Sequence, residues 1–122
     1  MKRLIVDLDD TITISKGADY SNAKPNKKMV SKLLEYQKKG FDIVIHTSRN
    51  MRTYNGNIGY INLNTIPVIT DWLKKNNVPC NELFVGKPWC GEDGFYIDDK
   101  AIRPKEFLEL SEKKINELIN GK

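Results

Sequence analysis

Asp7, Asp9 and Asp10 crowd together directly after the aliphatic run Leu4-Ile5-Val6 and just before Thr11. Carboxylates packed this closely repel one another unless a cation neutralises them, and an oxygen-only donor set suits a hard ion such as Mg²⁺. The run before them has the pattern of a strand buried on both faces, as in a parallel sheet covered by helices. The acids then fall at the strand's carboxyl end, where open α/β sheets bind ligands. An acidic turn that merely ends a strand is the competing reading of this stretch, so the decision passes to residues further along.

Three later runs end in the same way. Phe41-Asp42-Ile43-Val44-Ile45-His46 gives out into Thr47-Ser48-Arg49-Asn50, Leu83-Phe84-Val85 into Gly86-Lys87-Pro88, and Phe95-Tyr96-Ile97 into Asp98-Asp99. All carboxyl ends of a parallel sheet lie on one edge, so Asp7, Asp9, Thr47, Lys87, Asp98 and Asp99 are expected to converge. Acids, a hydroxyl and a lysine around a hard cation can stabilise and attack a phosphoryl group. The metal and the ammonium neutralise its oxygens while a carboxylate attacks phosphorus.

The elements that must position these residues alternate between strand and helix. Ile12 to Lys24 mixes polar and small residues without a sustained period and reads as an irregular flap beside the acids. Asn26 can cap a helix in which Met29, Val30, Leu33 and Leu34 recur at helical spacing, with Gly40 closing it. Met51 to Asn64 reads as a substrate loop, too irregular for a helix and too short for a cap domain. Thr65, Ile66 and Pro67 resemble an N-cap and first turn, with Ile66, Ile69, Trp72 and Leu73 on one helical face and an end near Asn77. About eight residues separate the third and fourth strands, too few for a crossover helix, so this link is expected to run extended across the sheet, a reach of roughly 26 Å at most. Pro104 opens a final helix with Phe107, Leu108, Ile115, Leu118 and Ile119 on one side.

The 122 residues suit a single α/β domain, residues 1–122, with a three-layer Rossmann-like core, a mostly parallel sheet of about four strands and no cap domain. Hydrophobic and charged contents of 39% and 30% are those of a soluble globular protein. No apolar run approaches the ~20 residues of a membrane span, and Met1-Lys2-Arg3 leads straight into a strand without a signal-peptide pattern, so a cytoplasmic location is expected. Cys80 and Cys90 are too few for a zinc site or a disulfide framework and are expected to be reduced spectators. His46, the single histidine, is read as lacking a catalytic partner. The net charge of +4 favours anionic substrates in general, but the lysines are scattered rather than gathered into a patch, which argues against nucleic acid.

From about Leu4 to Arg103 the chain resembles the haloacid dehalogenase (HAD) superfamily of aspartate-dependent phosphohydrolases, with counterparts of its four motifs in order. Asp7-Leu8-Asp9-Asp10-Thr11 matches the first, Asp-x-Asp-x-Thr. The resemblance implies that Asp7 is the nucleophile forming an aspartyl-phosphate and that Asp9 protonates the leaving oxygen and later activates water. Thr47 matches the second motif, its hydroxyl holding the transferring phosphoryl with help from the Ser48 amide. Lys87 matches the third and Asp98-Asp99 the fourth, with Asp98 a direct ligand of Mg²⁺ beside Asp7 and the backbone carbonyl of Asp9, and Asp99 outer-shell or paired with Lys87. Thr11 belongs with these phosphate-binding or outer-shell groups. A receiver domain of two-component signalling has the same ingredients in another order, with its phosphorylated Asp where this chain has Thr47, and it lacks the use of Asp9 for hydrolysis.

Arg49-Asn50-Met51-Arg52-Thr53-Tyr54, Gly86-Lys87-Pro88-Trp89-Cys90-Gly91 and Tyr96-Ile97-Asp98-Asp99-Lys100-Ala101 are similar to the small capless HAD phosphatases of bacterial capsule and surface-polysaccharide biosynthesis. That likeness implies a phosphomonoester on a sugar, a nucleotide-sugar or a substituent attached to one, small or carrier-attached, with Arg49, Arg52, Tyr54 and Trp89 near it. A polynucleotide end phosphatase is the rival among capless relatives, and it would call for an aromatic and basic stripe.

Overall fold

The computed structural model describes residues 1–14 and 19–121, which form two compact units, Met1–Trp89 and Cys90–Lys122, taken in turn below. The first is built on a parallel sheet. β1 (Arg3–Val6) pairs with β4 (Asp42–His46), which pairs with β5 (Glu82–Phe84), in the order β1-β4-β5. The register sets Ile5 beside Val44 and Ile45 beside Leu83, and Ile43, Val44 and Ile45 are fully buried, as the continuous aliphatic run requires of a central parallel strand.

One helix packs on this sheet against β4, and another lies beyond it. α1 (Lys27–Lys38) starts where the Asn26 side chain accepts a hydrogen bond from the Met29 amide, and it buries Met29, Leu33 and Tyr36. It stops before Gly40, whose φ of +97° is a left-handed conformation that suits a residue without a Cβ. α3 (Ile66–Lys75) buries Ile69, Trp72 and Leu73, and the Trp72 indole N–H donates to the Ala23 carbonyl at 2.7 Å. The chain therefore has the α/β class and mostly parallel sheet expected from its sequence, and the described elements include no separate cap domain. No described helix is long and apolar enough to cross a membrane.

Several elements depart from expectation. Ile58–Asn64, read as loop, is a helix, α2, because the Asn57 side chain caps the Tyr60 amide at 3.2 Å and Ile61 finds a buried place. Gly59, Asn62 and Asn64 weaken the local signal that packing overrides. Part of the stretch read as an irregular flap is ordered: β2 (Thr13–Ile14) pairs antiparallel with β3 (Lys24–Pro25), and Tyr20–Asn22 form a 3-10 turn. Residues 15–18 of that flap lie outside the described residues.

In the second unit the expected final helix is two. α4 (Pro104–Glu109) has its first turn tied by the Arg103 amide donating to the Glu106 carboxylate at 2.9 Å. Leu110 is extended, and α5 (Glu112–Gly121) restarts with the Ser111 hydroxyl accepting from the Lys114 amide. A serine that can satisfy the next turn's amide favours a new cap over helix continuation. Phe107 and Ile115 are the buried residues of these helices. The expected fourth strand is not formed among the described residues: Phe95, Tyr96 and Ile97 have no regular structure, and the parallel sheet described has three strands rather than about four.

Asn26→Ala removes the α1 cap and is expected to lower stability by about 1 kcal/mol, read as a shifted midpoint with unchanged slope in urea unfolding.

Candidate active site

β1 delivers its chain into a tight loop gathered on one carbonyl. The Leu8 oxygen accepts from the amides of Thr11, Ile12 and Thr13, and the fully buried Leu8 side chain anchors the loop between Asp7 and Asp9. Asp10 takes the left-handed φ of +62° that such a reversal needs, a conformation Asp tolerates better than most residues. Each acid then has a threonine four residues on. The Thr11 hydroxyl donates to Asp7 Oδ2 at 3.0 Å, and the Thr13 hydroxyl to Asp9 Oδ1 at 3.3 Å.

A cation from a different strand end meets each carboxylate. Lys87 Nζ stands 3.6 Å from Asp7 Oδ1. Its amide donates to the Thr47 carbonyl at 3.2 Å, which fixes the segment after β5 beside the end of β4. Gly86 makes the approach possible, since it has a φ of +84° and a Cβ there would come 2.8 Å from Ile58 Cδ1. Arg49 grips Asp9 with a fork, Nε to Oδ2 at 3.0 Å and Nη2 to Oδ1 at 2.7 Å. The arginine is only 4% exposed, and the Tyr20 ring covers its guanidinium at 4.1 Å. Its Nη1 is buried without an acceptor among the described residues. Two hydrogen bonds in one plane hold a carboxylate in orientation as well as in place.

Thr47 is buried between these pairs. Its Oγ1 accepts from the Arg49 amide at 3.1 Å, which leaves the hydroxyl hydrogen available for donation. Ser48 follows at the turn, its carbonyl taking the Met51 amide. Further out, the Arg52 guanidinium lies 5.5 Å over the Trp89 ring, and Tyr54 stacks on Tyr60 with ring centres 5.9 Å apart. Those candidates for substrate contact are thus partly engaged with one another, whereas Arg49, also read as a substrate residue, serves as a clamp on Asp9.

The structure therefore links Asp7, Asp9, Thr11, Thr47, Arg49 and Lys87 through direct contacts. Asp98 and Asp99 belong to the second unit, exposed, with the Asp98 carboxylate accepting from the Lys100 amide at 2.9 Å. No three His, Cys, Asp or Glu side chains come together as a metal-binding group among the described residues. The donors that the first unit offers are hard oxygens, the Asp7 carboxylate and the Asp9 main-chain carbonyl, and these fit Mg²⁺ in kind. The Asp9 carboxylate, with Arg49 on both oxygens, is the less suited donor. Thr13 and Tyr20 were not foreseen as part of the site. Thr13 was legible as a second Asp-x-x-x-Thr spacing, but nothing in the sequence sets Tyr20 on Arg49.

His46 closes β4 half-buried, with its pKa held below the ordinary 6.5 chiefly by burial and then by the charge of Lys87, against the opposing pull of Asp7. The unfolded chain thus binds this proton before the folded one does, so its contribution to stability is lost as pH falls through the region below 6.5. Proton NMR of the imidazole across pH 4 to 8 is expected to give a midpoint below ~6.5.

No protein-family model and no curated protein matches the chain. Among solved structures it is similar to a structural-genomics target from Vibrio cholerae known by its crystal structure, with 54% sequence identity, a TM-score of 0.97, and coverage of 99% of this chain and 98% of that one. At this identity, over nearly the full length of both, the chain belongs to the same family as the Vibrio cholerae protein.

Proposed function

We propose that this protein is a Mg²⁺-dependent phosphomonoester hydrolase that works through an aspartyl-phosphate on Asp7. The observation that carries the reading is the division of labour between two neighbouring carboxylates. Asp7 has an ammonium 3.6 Å from one oxygen and a hydroxyl on the other, while Asp9 is locked by a buried guanidinium fork. The first arrangement suits a nucleophile, because Lys87 can neutralise the oxygens of an incoming phosphoryl group beside the attacking atom. The second keeps Asp9 in aim, and for Asp9 to carry the proton it gives to the leaving oxygen one of its oxygens must leave the Arg49 fork, since both accept from it here.

Asp7 attacks phosphorus and the ester P–O bond breaks, with the leaving oxygen taking a proton from Asp9. Asp9 then removes a proton from water, which attacks phosphorus, breaks the bond to Asp7 and releases phosphate. Thr47 donates its hydroxyl hydrogen to a phosphoryl oxygen, with the Ser48 amide beside it, and Lys87 offsets the developing charge. A bound Mg²⁺ would supply Lewis-acid neutralisation of the same oxygens; within residues 1–89 Asp7 and the Asp9 carbonyl would hold it, and the resemblance to the fourth motif implies Asp98 as a further ligand with Asp99 outer-shell. A site with no separate cap among the described elements suits phosphorylated sugars or glycan-precursor substituents of capsular polysaccharide biosynthesis, made in the cytoplasm, with Arg52, Tyr54 and Trp89 near the sugar. The pairing of Arg52 with Trp89 supports a planar, cation-backed platform for a sugar face.

Asp7→Asn is expected to reduce phosphate release by about a thousandfold or more without loss of folded signal in circular dichroism, and EDTA to do the same reversibly. Retained turnover in either case refutes the mechanism. Arg49→Lys keeps a charge but not the fork. It should lower kcat roughly 10- to 100-fold with KM moved by less than about threefold, and added guanidinium should restore part of the loss to Arg49→Ala. A change confined to KM would instead make Arg49 a substrate-binding residue.

A further inference from the structure

The fork of Arg49 on Asp9 takes up one edge of a guanidinium that is almost wholly out of water. Nη1, on the other edge, is buried without an acceptor among the described residues, so the flat face of the cation is what its surroundings can still serve. The Tyr20 ring meets that face at 4.1 Å. The electron-rich face of an aromatic ring attracts a cation, the more so once water is excluded, and a planar guanidinium can lie on it without giving up the hydrogen bonds at its edge.

The ring is itself held in place. Tyr20 opens the 3-10 turn Tyr20–Asn22, which packs on α3. Before it, the Asp19 carboxylate accepts from the Ser21 hydroxyl at 3.0 Å and from the Asn22 side-chain amide at 2.8 Å. After it, the Ala23 carbonyl accepts from the indole of buried Trp72 at 2.7 Å. β3 then pairs with β2, whose Thr13 donates to the same Asp9 carboxylate that Arg49 grips.

We propose that Tyr20 is a positioning residue, whose ring keeps the Arg49 guanidinium aligned with the Asp9 carboxylate and shields that guanidinium from water.

An ion pair open to solvent wanders among geometries and holds its acid loosely, whereas a stacked and desolvated guanidinium keeps one plane. The hold matters most when Asp9 frees an oxygen from the fork to carry its proton. With Arg49 fixed under the ring, the carboxylate can turn about the hydrogen bond that remains and return to the same aim. Tyr20 does this without touching substrate.

The stacking and its effect on the fork stand on these contacts, and only the consequence for turnover rests on the phosphatase reading above. In heteronuclear NMR of the full chain, the Arg49 Nε–H signal, assigned by its loss in Arg49→Lys, should show a cross-relaxation peak to the Tyr20 ring protons and slow exchange with water. Tyr20→Leu should speed that exchange about tenfold or more, and Tyr20→Phe, which keeps the ring, should hold it within about threefold of the unaltered protein. No peak to the ring, unchanged exchange in Tyr20→Leu, or fast exchange in Tyr20→Phe overturns the inference. If Tyr20→Leu fails to fold, the ring peak and the Tyr20→Phe exchange rate decide it. On p-nitrophenyl phosphate with Mg²⁺, Tyr20→Leu should lower kcat about tenfold with KM moved by less than about twofold, and Tyr20→Phe should recover most of the loss. An unchanged kcat, or a change confined to KM, overturns the positioning role. If the unaltered protein shows no turnover, the phosphatase reading fails while the NMR still decides the stacking.

Discussion

Repulsion between Asp7 and Asp9 is the constraint that the surrounding fold answers. Two carboxylates flanking one buried leucine are tolerable only where opposite charge is brought to them, and both cations come from far along the chain. Lys87 reaches Asp7 from the segment after β5, and Arg49 reaches Asp9 from the end of β4. The parallel sheet makes these meetings possible, because it puts the ends of β1, β4 and β5 on one rim. The Lys87 amide on the Thr47 carbonyl and the Arg49 amide on the Thr47 hydroxyl then make Thr47 the joint between the two pairs.

The two pairs differ in kind. Arg49 is buried, with a ring over its face and two short bonds in one plane, a rigid hold on the acid it serves. Lys87 meets Asp7 at a longer distance and is more exposed, so it can turn toward an arriving anion. A site built this way has one acid free to react and one acid kept in aim. That asymmetry, more than the number of carboxylates, is what the proposed phosphoryl chemistry draws on.

How much of this was legible follows from the range of each interaction. Local chemistry was readable: the Asn26 cap, the Gly40 stop, the buried β4 run and the polar residues closing each strand are set by neighbours within a few residues. Where packing or a cap competes with weak local preference, reading failed, as with α2 under Gly59 and the break at Ser111. Residue order alone sets which residue types stand at the strand ends, and with them the α/β class and the oxygen-and-ammonium character of the site. It took the folded chain to show that Arg49 clamps Asp9, that Tyr20 lies on that clamp, and that Phe95–Ile97 takes no regular structure. The first two are pairings across tens of residues, fixed by how the sheet and its loops close in space, and no local pattern encodes the partner.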